Sequence, residues 1–405
     1  MGLRESAARR AVQVTHVLVV EVPGWGLTRM RVESELARRG WTLATSPADA
    51  DVLLVCGSPG QQLDAACSQL WSQLPGPRAR ASVVSADDVV PTFTRLTAEL
   101  LDEAAQQLDA NTRSREPVSA SGDSVMAQPV AHSEHGSDEH AMPTDMPTHE
   151  SMNMDMDMDM DMDMDMPMPG GIPLASGGPD RDGLEMDVLH VPLGPVLPNW
   201  PAGLVVRCAL KGDVIVHAEV GFMSAAAGSL GDGLAGAGSF RSVDDERRRT
   251  VIRLSDAAVN VLALSGWSSA AGRARRIRDD VASGTALIDV AARIESLAAR
   301  VKRSLLLRWG LKGIVADAAP GAQRIGYGEA QSAHARLVEW LDEAGRSARD
   351  TAHSYDPPDF PEMQPKSLQL IAGLVTGTDV ASARLIIASL ALDTSLLAAS
   401  GDVHS

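Results

Sequence analysis

Residues 14–22 read VTHVLVVEV, a β-branched run that stops at Pro23-Gly24. An apolar run of this length, closed by turn residues, predicts a buried strand. The period then changes. LTRMRVESELARR brings Leu27, Met30, Val32 and Leu36 near one face of a helix, with Gly40 as its stop. WTLATSPADADVLLVCGS predicts a short strand and then a fully apolar one, Val52–Cys56. PGQQLDAACSQLWSQLPGP predicts a helix ended by Pro75, RARASVVSADD a further strand, and TRLTAELLDEAAQQL a closing helix. Strands and helices alternating at this spacing predict a small parallel sheet with right-handed crossovers.

The pattern is lost between about residues 111 and 185, where Ser, Asp, Pro, Met and His dominate. A segment so poor in β-branched and aromatic residues cannot bury enough apolar surface to offset the entropy of ordering, which predicts a disordered linker. Periodicity returns at residue 186. LVVRCAL and VIVHAEV predict two strands joined at KGD, inside a small β unit spanning 186–222. A Gly- and Ala-rich loop follows, and then helices over 243–266, 270–281, 286–309, 328–348 and 379–398. The fold class is therefore α/β over 1–110, with a small flavodoxin-like parallel sheet, and α+β over 186–405, with a β-hairpin on a mainly helical bundle. Residues 111–185 link the two.

Charge sharpens this division. The net charge is −17, but thirteen acidic residues and no Lys or Arg fall between Pro117 and Asp180, leaving −4 for the rest. The flanking parts are nearly balanced, and the acidic excess argues against nucleic acid, whose phosphates call for a basic footprint. The three cysteines, Cys56, Cys67 and Cys208, form neither a CxxC pair nor a disulfide framework. The N-terminal apolar run, about five residues, is too short for a secretion signal or a bilayer span. These features predict a cytoplasmic protein, with peripheral docking on a membrane complex at its inner face as a further expectation.

The order of elements resembles two subunits that lie together in redox complexes. VLVVEVPGWGLTRMRVESEL and ADADVLLVCGSPGQQLDAACSQLWSQLPGPRARASVVS resemble the small, cluster-carrying subunit of respiratory complex I and of nickel–iron hydrogenases. LGPVLPNWPAGLVVRCALKGDVIVHAEVGF resembles the opening hairpin of the quinone-site subunit of complex I, a relative of the hydrogenase large subunit, with its GPxHPxxHG signature. ARIESLAARVKRSLLLRWGLKGIV resembles that subunit's long helix, and PPDFPEMQPKSLQLIAGLVTGTDVASARLIIASLALD its C-terminal loop and final helix.

The resemblance implies a fused pair of electron-transfer subunits, but the chemistry-bearing residues differ. Gly24-Trp25-Gly26 stands where the family carries its cluster cysteines. Leu197 replaces the first signature His, and the second falls near Pro201 and Ala202. A four-iron cluster needs four thiolates, so none is expected to be held by this chain's own cysteines. Leu197 and Pro201 donate no side-chain hydrogen bond. The implied role is structural or accessory in a membrane-associated NADH–quinone oxidoreductase or hydrogenase-like assembly, with other subunits as partners. Any activity left would be quinone-linked.

Each candidate site has an alternative reading. Gly24-Trp25-Gly26 is a phosphate-cradling loop or a tight strand-to-helix turn, and on the resemblance a relic of the cluster loop. Leu197, Pro198, Asn199 and Trp200 form a quinone pocket with the head group on the indole, or a rigid corner that buries an aromatic. His16, His190 and His217 read as partly buried, satisfied histidines. DDERRR (244–249) and RARRIRDD (273–280) read as solvated helix faces or a docking surface for a partner. The alternating Met-Asp tract inside the linker offers Met154, Met156 and Met158, with His132, His135, His140 and His149 upstream. Thioethers are soft ligands that suit Cu(I), making copper binding the alternative function, while strict two-residue alternation also suits an expanded spacer.

Overall fold

The computed structural model describes residues 10, 12–113, 176–179, 185–229, 231, 242–314, 332–352, 354–358 and 365–394. The N-terminal half is a four-stranded parallel sheet of β1 (His16–Glu21), β2 (Thr42–Leu43), β3 (Val52–Cys56) and β4 (Ala79–Val83), in the order β2-β1-β3-β4. This is the flavodoxin-type order, with the switch point beside β1. Helices α1 (Gly26–Arg39), α2 (Gln61–Gln73), α3 (Val89–Leu101) and α4 (Glu103–Arg113) accompany it. β3 is buried at every position, as its unbroken apolar run requires in a sheet covered on both faces. α1 stops where Gly40 adopts a left-handed conformation (φ 75°) and its N–H reaches the Ala37 carbonyl.

The C-terminal half carries an antiparallel sheet, β5 (Ser176–Pro179), β6 (Glu185–Leu193), β7 (Leu204–Lys211) and β8 (Val214–Phe222), in sequential order. The expected hairpin is its β7–β8 edge, turned at Gly212 (φ 62°). β6 adds a strand where only the start of a β unit was expected. Pro192 lies inside it, and its periodicity is weak in EMDVLHVPL. β5 falls within the span 111–185.

The helical part comprises α5 (Val243–Leu264), α6 (Ser268–Ala282), α7 (Leu287–Arg303), α8 (Leu305–Gly310), α9 (Ala333–Arg349), α10 (Pro365–Val375) and α11 (Val380–Ser389). Several expectations fail, two of them for local reasons. The helix expected over 286–309 breaks at Ser304, which is extended (ψ 100°) and whose Oγ accepts from the Leu307 N–H, starting α8 afresh. Asp102 likewise splits the helix expected from Thr94 onward, its carboxylate accepting from the Ala105 N–H. The last helix ends at Ser389, well short of 398. α10 occupies a stretch read as loop, starting at a proline, which suits a first helical turn.

All described residues belong to one unit, and its halves share cores. Val205, Met223 and Ala225 pack with Leu18, Val20, Val22, Trp25 and Val55. Backbone bonds add to this: the Gly60 N–H donates to the Ser224 carbonyl at 3.1 Å, and the Ala226 N–H to the Ser58 carbonyl at 2.9 Å. α1 is buried on two sides, Val32 and Leu36 against its own sheet and Met30 in the core of the helical half. No helix among the described residues is long and apolar enough to cross a membrane.

Candidate functional site

The two loops singled out in the sequence border one cavity of about 570 Å³. One side is β1 and α1, through Leu18, Val20, Gly24, Gly26, Arg29 and Glu33. The other is the loop Pro195–Ala202 with α5 and the segment after α11. A cavity of this size is in the range that holds small organic ligands, about 300–1,000 Å³. Its lining is apolar along Val196, Leu197, Pro198, Val259 and Leu392, and charged where α1 meets α5.

The Gly24–Gly26 turn is fixed by its backbone and its tryptophan. Gly24 has φ 92°, and the Trp25 N–H donates to the Val22 carbonyl at 3.0 Å. Trp25 is 3% exposed and packs in the core rather than lining the cavity. Its ring lies against Gly57, where an added Cβ would come within 2.5 Å of the indole. The turn thus presents backbone, not an aromatic face, to the cavity.

The Leu197–Trp200 loop is equally fixed. The Trp200 Nε1–H donates to the Leu204 carbonyl at 2.7 Å, closing the corner on itself. Asn199 sits at φ 57°, a conformation asparagine tolerates better than most residues. The Pro198 carbonyl accepts from Arg384 at 2.8 Å, tying the corner to α11. Trp200 borders the cavity with most of its ring buried.

The charged end is a buried cluster that the sequence did not reveal. Arg29 reaches Glu21 at 2.6 Å, Glu33 at 2.7 Å and Asp256 at 2.7 Å. Arg278 reaches Asp256 at 2.6 Å, Asp279 at 2.7 Å and Glu33 at 2.8 Å. Arg275 adds a contact to Glu33 at 3.3 Å. Burial alone raises the Glu33 carboxyl, but Arg29, Arg278 and Arg275 outweigh it and hold the group well below the usual carboxylate range. Burial works against the Arg29 and Arg278 cations too, and their carboxylates more than compensate. Nearby, Arg253 pairs with Asp393 at 2.8 Å.

This overturns the solvated reading of RARRIRDD in part. Its Arg278 is fully buried against the chain's own α1, while Arg276 is exposed. Arg247, in DDERRR, is also buried, and bonds the Ala352 carbonyl. Mixed-sign runs of this kind look the same on a solvated face and on a buried one. The matching carboxylate on α1 is Glu33, whereas Glu35, two residues on, turns to Arg38 and Arg39 of its own helix.

Two of the three histidines are more open than expected: His190 is exposed, and His217 is 68% exposed beside Glu219, while His16 is partly buried. His16 lies 3.8 Å from Asp51. The three cysteines are buried in three different core clusters, which brings no two of them together. Burial pushes the Cys67 and Cys208 thiols up to about 11. The metal candidates His132, His135, His140, His149, Met154, Met156 and Met158 lie outside the described residues. Among the described residues, no group of three or more His, Cys, Asp or Glu side chains could hold a metal ion.

No family model, curated protein or solved structure matches the chain. The charged cluster and the cavity beside it therefore stand on their own geometry.

Proposed function

We propose that this protein is a structural or accessory relative of the paired small and quinone-site subunits of complex I-type and hydrogenase-type assemblies, fused on one chain. The observation that carries the reading is the meeting of Gly24–Gly26 and Leu197–Trp200 at one cavity. In the resembled subunits these segments belong to the cluster loop and the quinone-site signature, and here they lie on opposite sides of the same space. Neither offers a thiolate or an imidazole to it. The charged side chains that line it, Glu21, Arg29, Glu33, Asp256 and Arg275 in one cluster and Arg253 with Asp393, are already paired with one another.

On this reading the two halves persist as a welded scaffold, and the cavity keeps room for an apolar ring with polar groups at one end. A quinone is the ligand class that matches both the lining and the resemblance. Electron transfer through it would need clusters supplied by partner subunits.

Affinity purification of the tagged full chain from its native cells tests the assembly, with subunits of a membrane-associated redox complex expected in stoichiometric amounts. A clean monomer counts against the reading. Iron and acid-labile sulfide bound in cluster stoichiometry by the purified chain would sink it.

A further inference from the structure

Helix α8 (Leu305–Gly310) is apolar on both faces. Leu307 points inward, and with Leu311 and Ile314 it joins the core. Leu305, Leu306 and Trp309 point outward and are 78%, 82% and 79% exposed, more than any other large apolar side chain among the described residues. Large apolar side chains clustered in the open on one short helix point to something that covers them. The inward leucines and the Ser304 cap hold the outward three in place.

The charges around α8 say what covers it. Residues 300–312 carry five basic side chains, Arg300, Lys302, Arg303, Arg308 and Lys312, and no acidic one, on a chain of net charge −17. All five are exposed. Lys302 is paired with Asp342 at 2.7 Å. Large apolar side chains including a tryptophan, flanked by long basic ones, make the composition of an interfacial membrane anchor. Tryptophan settles at the headgroup level, and Arg and Lys extend their charges toward phosphates.

We propose that α8 docks the protein on an anionic phospholipid surface. Leu305, Leu306 and Trp309 enter the boundary between headgroups and acyl chains, and Arg300, Arg303, Arg308 and Lys312 meet the lipid phosphates. The proposal rests on α8 and its flanks alone and is independent of the cavity.

Co-sedimentation of the full chain with vesicles tests it, comparing phosphatidylcholine alone with phosphatidylcholine mixed with phosphatidylglycerol. Binding to the mixed vesicles and not the neutral ones is expected, weakening as salt is added. Replacing Leu305, Leu306 and Trp309 together by Ser should lower partitioning by at least about a hundredfold. These side chains are exposed, so unchanged circular dichroism will show that folding is kept. Arg303→Gln, Arg308→Gln and Lys312→Gln should each lower it by about fivefold. Vesicle addition should shift tryptophan emission in the unaltered chain and not in Trp309→Phe. Full-chain binding that is missing, or that the serine variant matches, overturns the proposal. So does a patch that captures a protein partner while ignoring both kinds of vesicle.

Discussion

Arg278 and Glu33 face each other at 2.8 Å, 245 residues apart in the chain, with their side chains 0% and 9% exposed. The pair joins α6 of the helical half to α1 of the parallel-sheet half. Removing Arg278 leaves Glu33, Asp256 and Asp279 short of a cation they share, with Arg29 and Arg275 alone against them, a loss approaching the about 3–5 kcal/mol of a broken buried pair. Arg278→Met should therefore lower the midpoint of urea denaturation strongly. In the Arg278→Met background, Glu33→Gln should cost much less than it does alone. Equal costs in both backgrounds would show that the two groups are not coupled.

The same cluster sets the response to acid. The folded-state value of Glu33 lies below its ordinary value of 4.5, so its contribution is complete above about that pH and is lost progressively as the pH falls below it. Asp279 runs the other way. Burial pushes its carboxyl up against the pull of Arg278, so it returns some stability as the pH falls toward its ordinary 3.8. Below that value the Glu33 loss stands unopposed. Denaturation midpoints measured from neutral pH downward should fall steeply in this window, and Glu33→Gln should flatten the fall.

Gly57 is tied to Trp25 as closely as Arg278 is to Glu33. Its φ of +109° is unfavourable for any residue with a Cβ, and that Cβ would strike the indole. Gly57→Ala adds a backbone cost of about 1–2 kcal/mol to an overpacking cost of about 1–3 kcal/mol. The expected outcome is a lower melting temperature, together with a changed near-ultraviolet tryptophan signal as Trp25 is displaced from the turn.

The parallel sheet was legible because its strands are short apolar runs and its helices have one apolar face: Val52–Cys56 and Leu36 carry their burial in their own pattern. The cavity was half legible. Gly24–Gly26 and Leu197–Trp200 are conspicuous as turns, but nothing in either segment says that it faces the other. The ion cluster was not legible, because charge patterning along one helix carries no information about a partner more than two hundred residues away. The breaks at Asp102 and Ser304 were readable in principle. Both residues compete for backbone N–H groups, and both lie inside stretches where helical periodicity runs on past them.

The cysteines make a separate prediction. Cys67 and Cys208 are buried and their thiols are pushed up to about 11, so neither presents much thiolate near neutral pH. An aromatic disulfide reagent at about pH 8 should label the native protein slowly at both, and all three cysteines promptly once the chain is unfolded in denaturant. Fast labelling of Cys67 in the native state would mean that α2 opens readily, since that helix and the strands beneath it cover the sulfur.

The Met-Asp tract can be tested apart from the rest of the molecule. Twelve methionines fall between Met126 and Met168, and three or four thioethers are enough to ligate a cuprous ion. The full chain should therefore take up more Cu(I), in competition with a chromophoric chelator, than a version lacking 126–168. Ligands supplied by the tract alone give copper no preference for the folded over the unfolded protein, and linkage then requires that the metal leave stability unchanged. Denaturation midpoints with and without Cu(I) should agree in both versions. A midpoint raised by copper in the full chain would mean that the metal also engages the parallel-sheet or helical half, joining the tract to the fold. Equal uptake by the two versions would leave the tract as a spacer.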